Sequence, residues 1–220
     1  MSPEEPLKIP LPGGRTISSV RTDPDGGREW TFIYAPGAGS NINDAFGRSA
    51  AGQLAAAGVA TVRFQFPYME AGKRSPDRPA VLEETWRAVI ETVRPGAPKL
   101  VAGGRSMGGR IASQVVAEGV PVDALALFAY PLHPPGKPEQ RRDAHLASLR
   151  VPVFFCSGTN DAFASSDELR EAAALIPNAR VYLLEGSDHG FNVPRSSGRR
   201  KEDVWEQAVV GMLEWLRGAA

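Results

Sequence analysis

The stretch that most constrains this chain is Lys99–Ile111, KLVAGGRSMGGRI. A short apolar run ends in glycines, passes through Gly104-Arg105-Ser106-Met107-Gly108, and continues into residues that favour a helix. A G-x-S-x-G pattern between a strand and a helix predicts a very sharp turn with the serine at its apex. Side chains flanking that apex would collide with the strand and the helix, which is why glycine is required there. The turn would lift Ser106 Oγ above the sheet edge. It would also aim the first N–H groups of the helix, which lack intrahelical partners, at the same point. On its own the pattern also fits a glycine-rich loop with Ser106 as a simple N-cap, so the rest of the chain has to decide.

Strand and helix signals alternate along the chain. Ile17–Thr22 and Glu29–Tyr34 read as strands, with hairpin-turn chemistry in Asp23-Pro24-Asp25-Gly26-Gly27 between them. Ala45–Ala57 reads as a helix ended by Gly58, Ala60–Phe64 as a strand and Gln65–Asp77 as a loop. Pro79–Val93 places Val81, Leu82, Trp86, Val89, Ile90 and Val93 on one side of a helix. Leu100–Gly103 leads into the turn and Ser106–Glu118 leads out of it. Strands follow at Ala124–Ala129, Val151–Ser157 and Arg180–Leu184. Helices follow at Ser166–Leu175, with Ser166 as N-cap, and at Glu202–Leu216. The inner strands are continuously apolar, as in a mostly parallel sheet buried on both faces. The expected class is therefore α/β, with an antiparallel N-terminal hairpin and helices on both faces. One domain would span residues 1–220, with 1–14 as an extended N-terminal segment. The only candidate for a lid is the short Tyr130–Arg142 loop, so any cap is minimal or absent.

In such a sheet chemistry collects at the carboxyl ends of the strands. There the chain carries Gly37-Ala38-Gly39, then Ser106, then Asp161 in Gly158-Thr159-Asn160-Asp161, then His189 in Ser187-Asp188-His189-Gly190. Ser, Asp and His in that chain order match one of the three known orders of the nucleophile–acid–base set. Among three histidines, His189 follows the last strand between Gly186 and Gly190, whereas His145 reads as structural and His133 lies between prolines. An imidazole near its ordinary pKa can take a serine proton at neutral pH. Among the acids, Asp188 adjoins His189 and would point away from it, and Asp167 has a sufficient role in the first turn of a helix. That leaves Asp161 to accept Nδ1–H of His189. The Met107 amide and the Ala38 amide, with Gly39 as the rival to Ala38, are the expected oxyanion donors. Tyr130, Leu132 and His133, on a proline-stiffened loop, are expected to line the substrate pocket.

Charge and composition narrow the partners. The 25 basic residues balance 25 acidic ones, so no global basic surplus points to nucleic acid. The single cysteine, Cys156, excludes an intrachain disulfide framework, fits a reducing compartment and reads as a buried strand residue. The N-terminal MSPEEPLKIPLPGG lacks the charge and apolar core of a signal peptide, and no run reaches the ~20 residues of a membrane span. A cytoplasmic protein without membrane or nucleic-acid partners is expected, with monomer or homodimer left open. No metal-ligand cluster and no cofactor motif appear, so neither metal nor cofactor is expected.

Ala35-Pro36-Gly37-Ala38-Gly39, Gly104-Arg105-Ser106-Met107-Gly108-Gly109, Gly158-Thr159-Asn160-Asp161 and Asp188-His189-Gly190 together resemble the α/β-hydrolase superfamily. Gly103–Arg110 and Tyr130–Pro138 are similar to signatures of the small capless group near dienelactone hydrolase that includes relatives of testis-expressed protein 30 and KAT8 regulatory NSL complex subunit 3. Dienelactone hydrolase itself uses cysteine where this chain has Ser106, and many α/β-hydrolases carry histidine where it has Pro36. The resemblance implies a serine hydrolase acting on an ester or thioester of a small acyl group, with Ser106, Asp161 and His189 as triad. An acyltransferase using the same acyl-enzyme, or a scaffold with a vestigial triad, are the alternative expectations.

Overall fold

The protein is described by a computed structural model covering residues 3–219. Eight strands form one sheet: β1 (Glu4–Pro10), β2 (Thr16–Thr22), β3 (Trp30–Ala35), β4 (Ala60–Phe64), β5 (Lys99–Arg105), β6 (Ala124–Phe128), β7 (Val153–Gly158) and β8 (Ala179–Leu184). Their spatial order is β1-β2-β4-β3-β5-β6-β7-β8. β1 and β2 pair antiparallel, β2 also runs antiparallel to β4, and every pair from β4 to β8 is parallel. Among the described residues six α-helices surround the sheet: α1 (Ala45–Ala56), α2 (Pro67–Glu70), α3 (Pro79–Val93), α4 (Met107–Ala117), α5 (Ser166–Ala174) and α6 (Lys201–Ala219).

The period of two along each strand sorts side chains between two cores. In β3, Ile33 and Ala35 enter a layer with Trp86 of α3, Ile111 of α4 and Leu169 of α5. Phe32 and Tyr34 face the opposite layer, with Phe46 and Leu54 of α1 and Trp205 and Met212 of α6. Both faces are thus covered, which is why β3, β4, β6 and β7 are buried at every position. Cys156 lies wholly inside β7, and burial pushes its thiol pKa up, away from reactivity.

Two expectations are corrected. The antiparallel hairpin exists, but its strands are β1 and β2, and β2 and β3 do not pair across Asp23–Gly27. The polar turn instead lets the chain cross over β4: Asp23 binds Arg21 and Arg28, and Arg28 also donates to Gly96 O at 2.7 Å. Extended backbone within 1–14 is a true sheet strand, β1, whose Glu4 receives Arg63 Nη2 at 2.6 Å from β4, a side chain only 2% exposed. Met1 and Ser2 of that segment lie outside the described residues. The N-cap of α5 is Ser165, with Glu168 closing a capping box, rather than Ser166.

The sheet reverses its winding between β3 and β5, so a crevice opens at their carboxyl ends. No inserted cap covers it among the described residues. Trp86, fully buried and edge-on to Phe64 at 4.9 Å, donates its indole N–H to Gly108 O at 3.1 Å and so fastens α3 to the first turn of α4. Trp86→Ala should cost about 3–5 kcal/mol by urea unfolding. Trp86→Phe, which keeps most of the packing and loses the donor, should cost clearly less.

Candidate active site

Ser106 is the residue between β5 and α4, at φ 49°, ψ −118°, a conformation disfavoured for a residue with a Cβ. Its amide donates to Phe128 O at 2.8 Å, and its carbonyl accepts the Arg110 amide at 3.0 Å. The turn is sharp because β5 and α4 press on the end of β3. A Cβ on Gly104 or on Gly108 would fall onto the Ala35 carbonyl oxygen. Strain of this kind costs about 1–3 kcal/mol and persists only where the surroundings enforce it.

His189 stands on the loop after β8, with its Nε2 2.9 Å from Ser106 Oγ. Its Nδ1 is 2.8 and 2.9 Å from the two oxygens of Asp161, which follows β7. Asp161 is buried, and its carboxylate also accepts from Ser157 Oγ at 3.0 Å and from the Phe163 amide at 2.8 Å. An acceptor-only partner assigns the ring proton to Nδ1, which leaves the Nε2 lone pair for the Ser106 hydroxyl. Asp188 does a different job. Its Oδ1 accepts the Gly190 and Asn192 amides and so shapes the histidine loop. Asp167 is on the exposed start of α5 and pairs with Arg170.

The loop after β3 borders the serine: a Cβ on Gly37 would be 3.6 Å from Ser106 Cβ. The Met107 and Ala38 amides have no hydrogen-bond partner among the described residues. The Gly39 amide is already engaged, donating to Tyr68 Oη at 3.0 Å. Of the two rivals, Ala38 is therefore the amide left available.

These residues open into a cleft of about 530 Å³, lined also by Asp44, Arg105, Arg110, Pro131, Arg142 and Phe163. Tyr130, Leu132 and His133 do not line it. Tyr130 and Leu132 belong to the core, and Tyr130 Oη donates to Arg142 O at 3.1 Å. His133 is buried against α5, with Nδ1 donating to Pro134 O at 2.8 Å and Nε2 3.3 Å from Glu168 Oε2. The positions of this loop that face the cleft are Pro131 and Arg142. His145 is structural, 2.8 Å from Ser113 Oγ, and burial lowers its pKa.

Three neighbours escape a sequence reading. Phe163 stacks on the His189 ring with centroids 4.0 Å apart, and only its place two residues after Asp161 hints at this. Arg105, the variable residue of the turn, donates from Nη2 to His189 O at 3.1 Å and lies 5.5 Å from the Phe191 ring centre. Its Nη1 is 4.0 Å from Asp44 Oδ1. Asp44 in turn caps α1 through the Gly47 amide at 2.8 Å and accepts Tyr34 Oη at 2.6 Å.

A family model described as an alpha/beta hydrolase domain matches residues 28–217. Est1E from Butyrivibrio proteoclasticus superposes with a TM-score of 0.75 at 14% identity, over 96% of this chain and 99% of that one. An alpha-beta serine hydrolase homologue from Coxiella burnetii superposes with a TM-score of 0.76 at 21% identity, over 96% and 98% of the two chains. Polyketide synthase ThaQ of Burkholderia thailandensis is 34% identical over 77 residues, which are 34% of this chain and 3% of the synthase. No helix among the described residues is long and apolar enough to cross a membrane.

The carboxylate behind His133 supplies a stability test. The Ser165 hydroxyl first, then the Ser165 amide and His133, hold Glu168 down to a pKa of about 2, against the opposing effect of burial. A carboxylate with a depressed folded pKa stabilises above its ordinary pKa, and this contribution is lost as pH falls towards the folded value. Glu168→Gln, which can keep the capping box but loses the charge, should therefore destabilise by about 1 kcal/mol at neutral pH. The difference from wild type should shrink as pH drops from about 5 to about 3 in urea titrations. A difference that grows on acidification would contradict the assignment.

Proposed function

This chain belongs to the alpha/beta hydrolase domain family, and we propose that it is a serine hydrolase cleaving an ester or thioester of a small acyl group. The observation that carries the reading is the unbroken relay Ser106 Oγ–His189 Nε2, His189 Nδ1–Asp161, at 2.9 and 2.8 Å. Ser106 Oγ attacks the carbonyl carbon while His189 Nε2 takes its proton. Asp161 fixes the tautomer and stabilises the imidazolium. The Ala38 and Met107 amides hold the tetrahedral oxyanion, a contribution of about 3–4 kcal/mol per donor in measured cases. Collapse of the intermediate breaks the bond to the leaving oxygen or sulfur, which receives the proton from His189. Water, activated by the same imidazole, then releases the acyl group and restores Ser106. None of these steps requires a metal or cofactor.

The cleft volume suits a small molecule. The absence of an inserted cap among the described residues is consistent with the resemblance to the capless group near dienelactone hydrolase. A relay with every hydrogen bond in place favours catalysis over a scaffold role, since a vestigial site has no need to keep a strained serine. The test is labelling with a fluorophosphonate. Ser106 should be the modified residue, and Ser106→Ala should abolish the adduct. His189→Ala should lower kcat on a 4-nitrophenyl acyl ester by about 10⁴-fold or more. Labelling that persists in Ser106→Ala overturns the assignment.

A further inference from the structure

The cleft beside Ser106 presents three arginines, Arg105, Arg110 and Arg142, against one carboxylate, Asp44. Arg105 is committed to His189 O and Asp44. Neither of the other two makes an ion pair among the described residues, and the only acidic charge that acts on Arg110 is the more distant one of Glu83. Arg110 Nη1 donates at 3.2 Å to Gln114 Oε1, a neutral amide, and its Nε is buried without a partner among the described residues. Arg142 has no side-chain hydrogen bond or ion pair among the described residues. The adjacent acid in the chain, Asp143, is taken by Arg141, which also reaches Glu168 at 3.5 Å. Burial lowers the Arg110 pKa most; Tyr130 opposes, Arg142 lowers it further and Glu83 opposes last, so the two guanidinium groups repel one another at this site.

Both cations are also rigidly mounted. Arg110 follows Ser106 by one helical turn, with its amide on the Ser106 carbonyl at 3.0 Å. The Arg142 backbone is held from both sides, its N–H on Leu132 O at 2.8 Å and its C=O under Tyr130 Oη at 3.1 Å. Two like charges gathered beside a cleft raise the free energy of the empty protein, and an anion that joins them relieves it. Guanidinium forks match carboxylate and phosphate oxygens in pairs.

We propose that Arg110 and Arg142 form an anion subsite, and that the ester or thioester cleaved at Ser106 bears a carboxylate or phosphate group. The proposal rests on the serine-hydrolase reading and narrows its substrate class.

Matched substrates test it. One pair is 4-nitrophenyl hemisuccinate and its neutral methyl ester, and a second is 3-acetoxybenzoate and its methyl ester, which moves the anion to the leaving side. A 4-nitrophenyl ester of 3-phosphonopropionate separates phosphate-like from carboxylate recognition. At least one anionic member should exceed its neutral partner tenfold or more in kcat/KM at low salt. That ratio should fall at least fivefold in both Arg110→Gln and Arg142→Gln. If Arg110→Gln does not fold by circular dichroism, the half-buried Arg142→Gln decides. Ratios near one for all pairs, or a preference unchanged in Arg142→Gln, overturn the subsite. Fluorophosphonate labelling of Ser106 and neutral-ester cleavage, measured in parallel, separate the two readings. If both persist without anionic preference, the subsite alone is wrong; if both are absent, the hydrolase reading falls and the subsite with it.

Discussion

Everything at this site depends on how closely the backbone of β5 and α4 can approach the end of β3. At Gly104 and Gly108 there is no room for a Cβ, because the Ala35 carbonyl occupies the place. That approach forces Ser106 into its strained conformation and brings the Gly37–Gly39 loop against the serine. It also leaves the Met107 amide facing the cleft. The strain is held from several directions, by Phe128 O on the Ser106 amide, by the parallel ladder between β3 and β5, and by Trp86 under the first turn of α4. The histidine and aspartate need less enforcement. They stand on loops whose own hydrogen bonds, through Asp188 and Ser157, shape the route to the serine.

The sheet was legible because its signals are local. Continuous apolar runs bounded by glycine and proline mark β5 to β7, and helical spacing over Pro79–Val93 coincides with α3 to the residue. The N-terminal edge was not legible. Glu4–Pro10 has two prolines and a weak alternation, and becomes a strand only because β2 offers an edge and Arg63 needs Glu4. The turn-like Asp23–Gly27 suggested a pairing of β2 with β3, but hydrogen-bonding chemistry in a turn does not say which strand lies next to which. The pairing of β2 with β4 comes from long-range sheet geometry.

The same division runs through the site. Ser106, Asp161 and His189 stood out because each follows a strand, and a parallel sheet gathers such positions at one edge. The wall of the cleft did not stand out. Tyr130, Leu132 and His133 look like pocket residues by type, yet direction along an irregular loop has no period to read. The residue between the first two, Pro131, faces the cleft, as does Arg142. Arg105 fills a position that G-x-S-x-G leaves unspecified, yet its guanidinium reaches the backbone of the histidine loop. Its reach depends on side-chain length and a neighbour 84 positions away, which no local pattern encodes.

Asp44 shows what such long reach implies for how this protein can change. One carboxylate starts α1, accepts the hydroxyl of a core tyrosine, and stands across from the arginine that braces His189. Burial and this carboxylate together hold the Tyr34 phenol protonated far above its ordinary range. Residues that share a partner do not respond independently to substitution. Changes at Tyr34, Asp44 and Arg105 will thus be epistatic, and a sequence drifting at one must drift in concert at the others. Evolvability is constrained at this node, beside the reacting serine but outside the reacting set. Variation is freer across the cleft, on the Pro131–Arg142 side, where new substrates can be accommodated without disturbing the mount of the histidine.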